Sequence, residues 1–254
     1  MLFRLLIMLT IFTVAYPAVA GDIKLNADKQ VEYHQKEQKL IAVGNAIATK
    51  DSMSIRAERL IGYYSPESKN KISRIEAHDK VVLTSDQTQA SGNKLIYDIK
   101  SDSATLSGTP ARIKNPDAEL TSNGTITFWL TAQKAVSDNP VTAIDKQGNI
   151  IHADHMTAYF SKDSAGKLSL DKIDISGNVK INANETEITA NSGTYYAIDG
   201  KIKLFENIVI NQKDNILRGS QAETDLNTGI SKILSGNTGR VSGVFKETKK
   251  EKNK

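Results

Sequence analysis

The side chains able to do acid–base, metal or nucleophilic chemistry are few in this sequence and poorly spaced for it. Its four histidines are His34, His78, His152 and His155, and only the last two lie close together. A metal site needs its ligands converging from one side, whereas a spacing of three along a strand sends His152 and His155 to opposite faces. The His-Ala-Asp-His run therefore reads as surface or edge. Two carboxylates can act as the acid and base of a glycosidase; the nearest pairs are Asp171/Asp174 and Glu185/Glu187. Glu185 and Glu187 can share a face, but the neighbouring Asn182 to Asn184 makes a turn the better reading. There is no Gly-x-Ser-x-Gly elbow, no phosphate-binding loop and no cysteine. The sequence offers no catalytic residue, no metal ligand and no cofactor site, and the expectation is a protein that is not an enzyme.

What the sequence does place regularly is aliphatic side chains. Between 173 and 210, Ile173, Ile175, Val179 and Ile181 share one parity around Gly177, and Ile202, Leu204, Ile208 and Ile210 repeat it around Glu206. Residues two apart on a strand face the same way, so each group is an apolar row on a half-buried strand. The pattern extends along the chain as two interleaved frames. One runs aliphatic, tiny, ring over nine residues, as in Ile55/Ala57/Tyr63, Leu120/Ser122/Phe128, Ile151/Ala153/Tyr159 and Ile188/Ala190/Tyr196. Odd positions share a side, so aliphatic, tiny residue and ring are expected on one face. The other frame is centred on Gly44, Asp79, Gly108, Asp138, Gly177, Glu206 and Gly236, with apolar positions two before, two after and four after. Together they predict an all-β tandem array of about seven repeats of ~31 residues. The strands would be antiparallel, about 22 in two layers with apolar faces turned inward. Asp199-Gly200 reads as a two-residue hairpin turn, and 65–68 and 163–166 read as turns.

The inward columns vary in strength. Val81, Leu83, Ile126, Phe128, Ile175, Val179, Ile181, Leu204, Ile208 and Ile210 fill them well, whereas Pro110, Arg112, Pro140, Thr142, Thr238 and Arg240 fall at apolar frame positions. A sealed sandwich wants uniform filling; a groove open along one edge tolerates proline and polar residues at its lips.

The remaining segments bound where such an array works. Arg4, an apolar run from Leu5 to about Val14, Pro17 and Ala18-Val19-Ala20 have the form of a cleaved secretory signal over residues 1–20; the run is about half of the ~20 residues that span a bilayer. The chain carries +4 overall, but Arg4 and the tail at 246–254, with five lysines against two glutamates, account for all of it. A neutral body with one tryptophan argues against nucleic-acid binding, which needs a basic face with stacking rings. The tail reads as disordered and solubilising. The expected domains are the signal at 1–20, one β-repeat domain at 21–245 and the basic tail at 246–254.

The repeated aliphatic-x-Ala and Gly-Asn-x-aliphatic frames, with the instances Ile151-His152-Ala153-Asp154, Gly44-Asn45-Ala46-Ile47 and Gly177-Asn178-Val179-Lys180-Ile181, resemble the OstA-like family over residues 23 to 245. The resemblance implies a twisted β-jellyroll open along one edge, exported to the periplasm. Its apolar inside would hold the acyl chains of lipopolysaccharide, lipid A, at the inward positions named above. It also implies head-to-tail self-assembly through unpaired end strands, near Ile23, Leu25 and Val31 at one end and Ile233 and Val241 at the other. The assembly would bridge an inner-membrane export complex and an outer-membrane translocon. Two alternatives stand beside this reading: a structural or adhesive β-array whose apolar face is sealed core, and a related membrane-anchored component of the same pathway.

Overall fold

Strand alternation and the repeated corner residues account for most of the architecture. The structure, a computed structural model, describes residues 23–65, 68–85, 87–129, 131–162, 168–183, 185–212, 215–225, 228, 230–235 and 240–245. The expected signal, the tail, Gly236, Thr238 and the turns at 66–67 and 163–167 lie outside them. The described residues form twenty strands, all in one hydrogen-bonded antiparallel system. In order they are β1 (Lys24–Asn26), β2 (Gln30–His34), β3 (Lys39–Lys50), β4 (Met53–Ser65), β5 (Ser68–Ser85), β6 (Thr88–Asp98), β7 (Ser103–Ser107), β8 (Ala111–Lys114), β9 (Ala118–Ser122) and β10 (Thr125–Trp129). They continue with β11 (Lys134–Ser137), β12 (Val141–Asp145), β13 (Ile150–Ala153), β14 (His155–Lys162), β15 (Leu168–Ala183), β16 (Thr186–Tyr196), β17 (Lys201–Gln212), β18 (Asn215–Asp225), β19 (Ile230–Leu234) and β20 (Ser242–Val244).

Two kinds of strand build it. β3 to β6 and β15 to β18 are long and pair side by side along both their halves. Between them the ladder divides: one branch runs β6, β7, β10, β11, β14, β15 and the other β6, β8, β9, β12, β13, β15. Two layers result, A from the first branch and B from the second, and each long strand passes from one to the other at a corner. Among the described residues, β1 and β2 at one end each pair only with β3, and β19 and β20 at the other each pair only with β18.

The corner is chemically specific. Two consecutive residues take positive φ at Gly44-Asn45, Asp79-Lys80, Gly177-Asn178 and Glu206-Asn207. Opposite each of these pairs a single residue is passed over, so the register steps from Val43/Arg59 to Ala46/Ala57, from His78/Lys94 to Val81/Gly92, from Ser176/Ser192 to Val179/Ala190 and from Phe205/Gln221 to Ile208/Gly219. This is a β-bulge, which bends the strand. Glycine, asparagine and aspartate supply most of the left-handed positions because they tolerate that conformation. At Gly177 the requirement is doubled, since φ is +75° and an added Cβ would stand 2.5 Å from Asp154 Oδ2. Side chains stitch neighbouring corners: Asn178 Nδ2 donates to Asp154 Oδ2 at 2.8 Å, Asn191 Nδ2 to Glu206 Oε2 at 3.0 Å and Lys80 Nζ to Glu58 Oε1 at 2.8 Å. The tiny residue of the nine-residue frame sits beside the corner, where Ala57, Ser122 and Ala153 are buried. There the layers meet and a larger side chain has no room.

Three expectations are corrected by the observed register. Pro110, Arg112, Pro140 and Thr142 do not interrupt the apolar columns. In both copies the corner breaks the strand; at Gly108–Pro110 it holds one residue more than a regular corner, and around Asp138 the whole copy is offset by one, with Ala135 and Ser137 inward before the break, so that Ala111, Val141 and Ala143 point inward and are buried. The polar residues face out, and they no longer argue for an open edge. The rings do not all share a face with the tiny residue either: Phe128 is inward, but the corner passed within the frame turns Tyr63, Tyr159 and Tyr196 outward, and Tyr195 is buried in place of Tyr196. Finally, Asp199-Gly200 is the second half of a four-residue connection, because Tyr196 pairs with Lys201; Gly200 supplies its positive φ.

The corrected alternation has a direct test. Ala111→Asp should destabilise the protein by about 3 kcal/mol or more, because it buries an unpaired carboxylate, while Arg112→Ser should stay within about 0.5 kcal/mol. Urea melts of both variants make the comparison, and the opposite ranking would restore the uninterrupted frame.

Candidate functional site

The extended feature of this molecule is its interior. Following the register across layer B gives one row of inward side chains, rung by rung: Leu25, Ala48, Ile55, Leu83, Ala90, Ile113, Leu120, Ala143, Ile151, Ile181, Ile188, Ile210 and Leu217. Every member is apolar. Layer A faces it with Leu60, Ala77, Leu95, Leu106, Ile126, Met156, Ile175 and Leu204, all buried. At ~4.8 Å per rung the layer B row is a continuous aliphatic track on the order of 50 Å long.

The sequence-selected groove residues all fall in this interior. Val81, Val179, Ile181 and Ile208 are 1% exposed, and all but Ile181 directly follow a corner pair. Leu83, Ile126, Phe128, Ile175 and Leu204 are buried further along the strands, and Ile210 is partly buried against the same cluster. Phe128 and Phe160 meet edge to face with centroids 6.0 Å apart. The two layers close on each other. Midway along, Leu120 and Ala143 of layer B and Ile126, Ala135, Met156, Ala158, Leu170 and Ile173 of layer A enclose a cavity of about 20 Å³, enough for about one water molecule. Alanine is frequent in this middle section, where Ala111, Ala118, Ala135, Ala143, Ala153 and Ala158 are all inward.

The end strands carry exposed apolar side chains. Ile23 and Val31 are exposed at one end and Val241 at the other, where Ile230, Leu234, Val244 and Phe245 are also exposed. Leu25 and Ile233 instead pack against the core cluster as its outermost members. In the last copy the inward residue is thus Ile233, not Leu234.

The polar candidates stay apart. Thr142 Oγ1 lies 2.8 Å from His152 Nδ1 on layer B, whereas His155 belongs to layer A with its Nδ1 3.6 Å from Asp138. Asp171 accepts from Ser161 at 2.6 Å, and Asp174 accepts from Lys172 at 2.8 Å and Thr194 at 2.9 Å. Glu185 sits in a turn at positive φ, while Glu187 is in β16 with Lys180 at 2.6 Å. Among the described residues, no three His, Asp or Glu side chains converge as a metal site would require. A carboxylate overlooked in the sequence is Glu76, almost buried on the outer face of β5 between Arg74 at 2.7 Å and His78 at 2.9 Å. Burial pushes its carboxyl up, but the His78 hydrogen bond and the charges of Arg74 and Lys94 outweigh that and hold it below the ordinary value of 4.5. Ile41 and Ile61 are buried beside it on the same outer face, outside the main core. The alternation Arg74/Glu76/His78 was the available signal.

Three comparisons place the chain among known proteins. The model of the family described as LptA/(LptD N-terminal domain) LPS transport protein matches residues 23–134 and 141–230. The gap between the two stretches contains the broken corner at Asp138 to Pro140. No curated protein matches. Among solved structures, the chain is similar to LptH of Pseudomonas aeruginosa, described as the LptA homologous periplasmic component of the conserved lipopolysaccharide transport device. The likeness covers 89% of this chain and 96% of that one at 10% identity, with a TM-score of 0.24.

The Glu76 cluster yields a pH prediction. A carboxylate whose folded pKa is depressed adds stability that is present above its unfolded pKa and is lost as pH falls through the folded value. Glu76→Gln should therefore cost about 1–2 kcal/mol at pH 7 and flatten the loss of stability below about pH 4.5. Urea melts from pH 7 to pH 3 read both effects; parallel curves for the two proteins would contradict it.

Proposed function

The chain belongs to the LptA/LptD N-terminal-domain family of LPS transport proteins, and from that premise we propose that it is a periplasmic bridge protein whose interior carries the acyl chains of lipopolysaccharide. The observation supporting this is the unbroken apolar row of layer B, from Leu25 to Leu217. An exposed acyl chain costs about 0.8 kcal/mol per methylene in water. A track of similar aliphatic rungs lowers that cost equally at every station, so a lipid is held without being trapped. A single deep pocket would bind and stop it.

Because the interior is packed, entry of acyl chains requires the layers to part along the edge opposite the corners. The middle section suits this. There the layers are joined by breaks at Gly108–Pro110, Asn123-Gly124, Asp138–Pro140 and Asp154, not by through-running strands, and alanines leave the most room once the layers separate. The unpaired edges of β1 and β2 and of β19 and β20, with their exposed apolar side chains, are suited to strand addition. They would join copies head to tail and meet the inner-membrane and outer-membrane partners of the pathway.

The packed interior equally favours a second reading, a structural array with a sealed core. Site-specific photo-cross-linking in living cells separates the two. A photoreactive residue at Ile210, inward and only partly buried, should give a lipopolysaccharide adduct, and one at its outward neighbour Val209 should not. A folded protein with no adduct at Ile210 or at Ile188 would leave the sealed array standing.

A further inference from the structure

The outer face of layer A carries a second ordered row, and it is not apolar. Reading across the strands next to the layer's free rim, Trp129 pairs with Lys134, Lys134 with Tyr159, Tyr159 with Lys172, Lys172 with Tyr196 and Tyr196 with Lys201. Aromatic and cation alternate over six consecutive rungs. Lys134 Nζ lies 6.0 Å from the Trp129 ring centre and 5.9 Å from that of Tyr159, and Lys172 Nζ lies 4.5 Å from Tyr159 on its other side. Lys172 also holds Asp174 at 2.8 Å, and Lys201 faces Asp225 across the next pair of strands. Among the described residues no carboxylate pairs with Lys134. The rings repeat every second strand, ~10 Å apart, which is close to the span of two linked pyranose rings.

An independent feature lies at the rim itself. The turn after Tyr196 presents Ile198 at 83% exposure, and the turn after β6, on the same rim, presents Ile99 at 45%. From inside to outside, layer A thus offers an apolar interior, apolar tips at its free edge, and then tryptophan, tyrosine and lysine on the outer face. That sequence of chemistries matches the cross-section of an anionic amphiphile. Aromatic and cationic side chains collect at membrane–water interfaces for the same reason.

We propose that the Trp129–Lys201 row is a headgroup-binding strip. It would hold the phosphorylated sugars of a glycolipid against the outside of layer A while the acyl chains occupy the interior. This rests on the acyl-carrying reading above and names the part of the cargo that reading leaves unplaced. The rings would stack on pyranose faces, and Lys134 and Lys172 would meet phosphate oxygens through charge-assisted hydrogen bonds. Successive lysines let a phosphate pass from one to the next as the lipid advances.

The test compares binding of bisphosphorylated lipid A, the same lipid after removal of its phosphates, and a diacylglycerol probe with no charged headgroup. The wild-type protein should favour the bisphosphorylated form by about tenfold, with the preference shrinking as salt rises. Lys134→Gln/Lys172→Gln should abolish that preference and leave diacylglycerol binding unchanged. Lys134→Arg/Lys172→Arg should keep the preference, and Trp129→Thr/Tyr159→Thr, which retains β-forming residues on the surface, should weaken both lipid A forms relative to diacylglycerol. Undiminished phosphate preference in the glutamine variant would overturn the strip. Loss of binding only to phosphatidylglycerol vesicles would also overturn it, assigning the row to a membrane surface. Failure of the wild-type protein to bind diacylglycerol at all would instead refute the acyl-carrying interior on which the strip depends.

Discussion

The structure depends on a constraint of parity. A strand shows alternate residues to alternate sides, so one face stays apolar over a long array only if each change of direction consumes a residue count that restores the alternation. The corners do this. Two left-handed residues against one residue of the neighbouring strand turn the strand from one layer into the other and return the aliphatic residues to the inside, so that Ile175 before Gly177-Asn178 and Val179 after it both face inward. The conformational cost falls mainly on glycine, asparagine and aspartate, which tolerate it. Lys80 and Glu206 take the same geometry and are held by Glu58 and Asn191 of the adjoining corners.

From that constraint the rest follows. Corners aligned down the ladder close one edge of the two-layered body and leave the opposite edges as turns. Aliphatic rungs stacked in register make a continuous track, and tiny residues at the corners let the layers meet. The same parity gives the outer face its own order. Once the corner turns Tyr159 and Tyr196 outward, they fall in line with Trp129 and with the lysines of the intervening strands. The proposed acyl track and the proposed headgroup strip are thus two faces of one alternation.

Much of this was legible in the sequence because it is local. All-β class, antiparallel layers and the inward placement of Val81, Val179, Ile181 and Ile208 follow from period-two patterning alone. The centres of the second frame, Gly44, Asp79, Gly177 and Glu206, proved to be the corners. What the sequence did not disclose was the length of each corner. The corner at Gly108–Pro110 holds one residue more than the regular ones, and the copy around Asp138 is offset by one along its whole length, so Arg112 and Thr142 appeared to break a column that Ala111 and Ala143 complete. The outer row was hidden for a different reason: its members lie far apart in the chain and become neighbours only through strand register. The same holds for Ile41 and Ile61 beside Glu76.

The central claim is that acyl chains lie between the layers. It is tested most directly by methyl-resolved magnetic resonance of the protein with a lipid carrying a nitroxide near the end of one acyl chain. The account predicts strong broadening of the inward methyl groups of Ile126, Ile181 and Ile188, with the outward methyl groups of Val136 and Ile96 little affected. Broadening of the outward methyl groups while the inward ones stay sharp would contradict it and leave the interior as core.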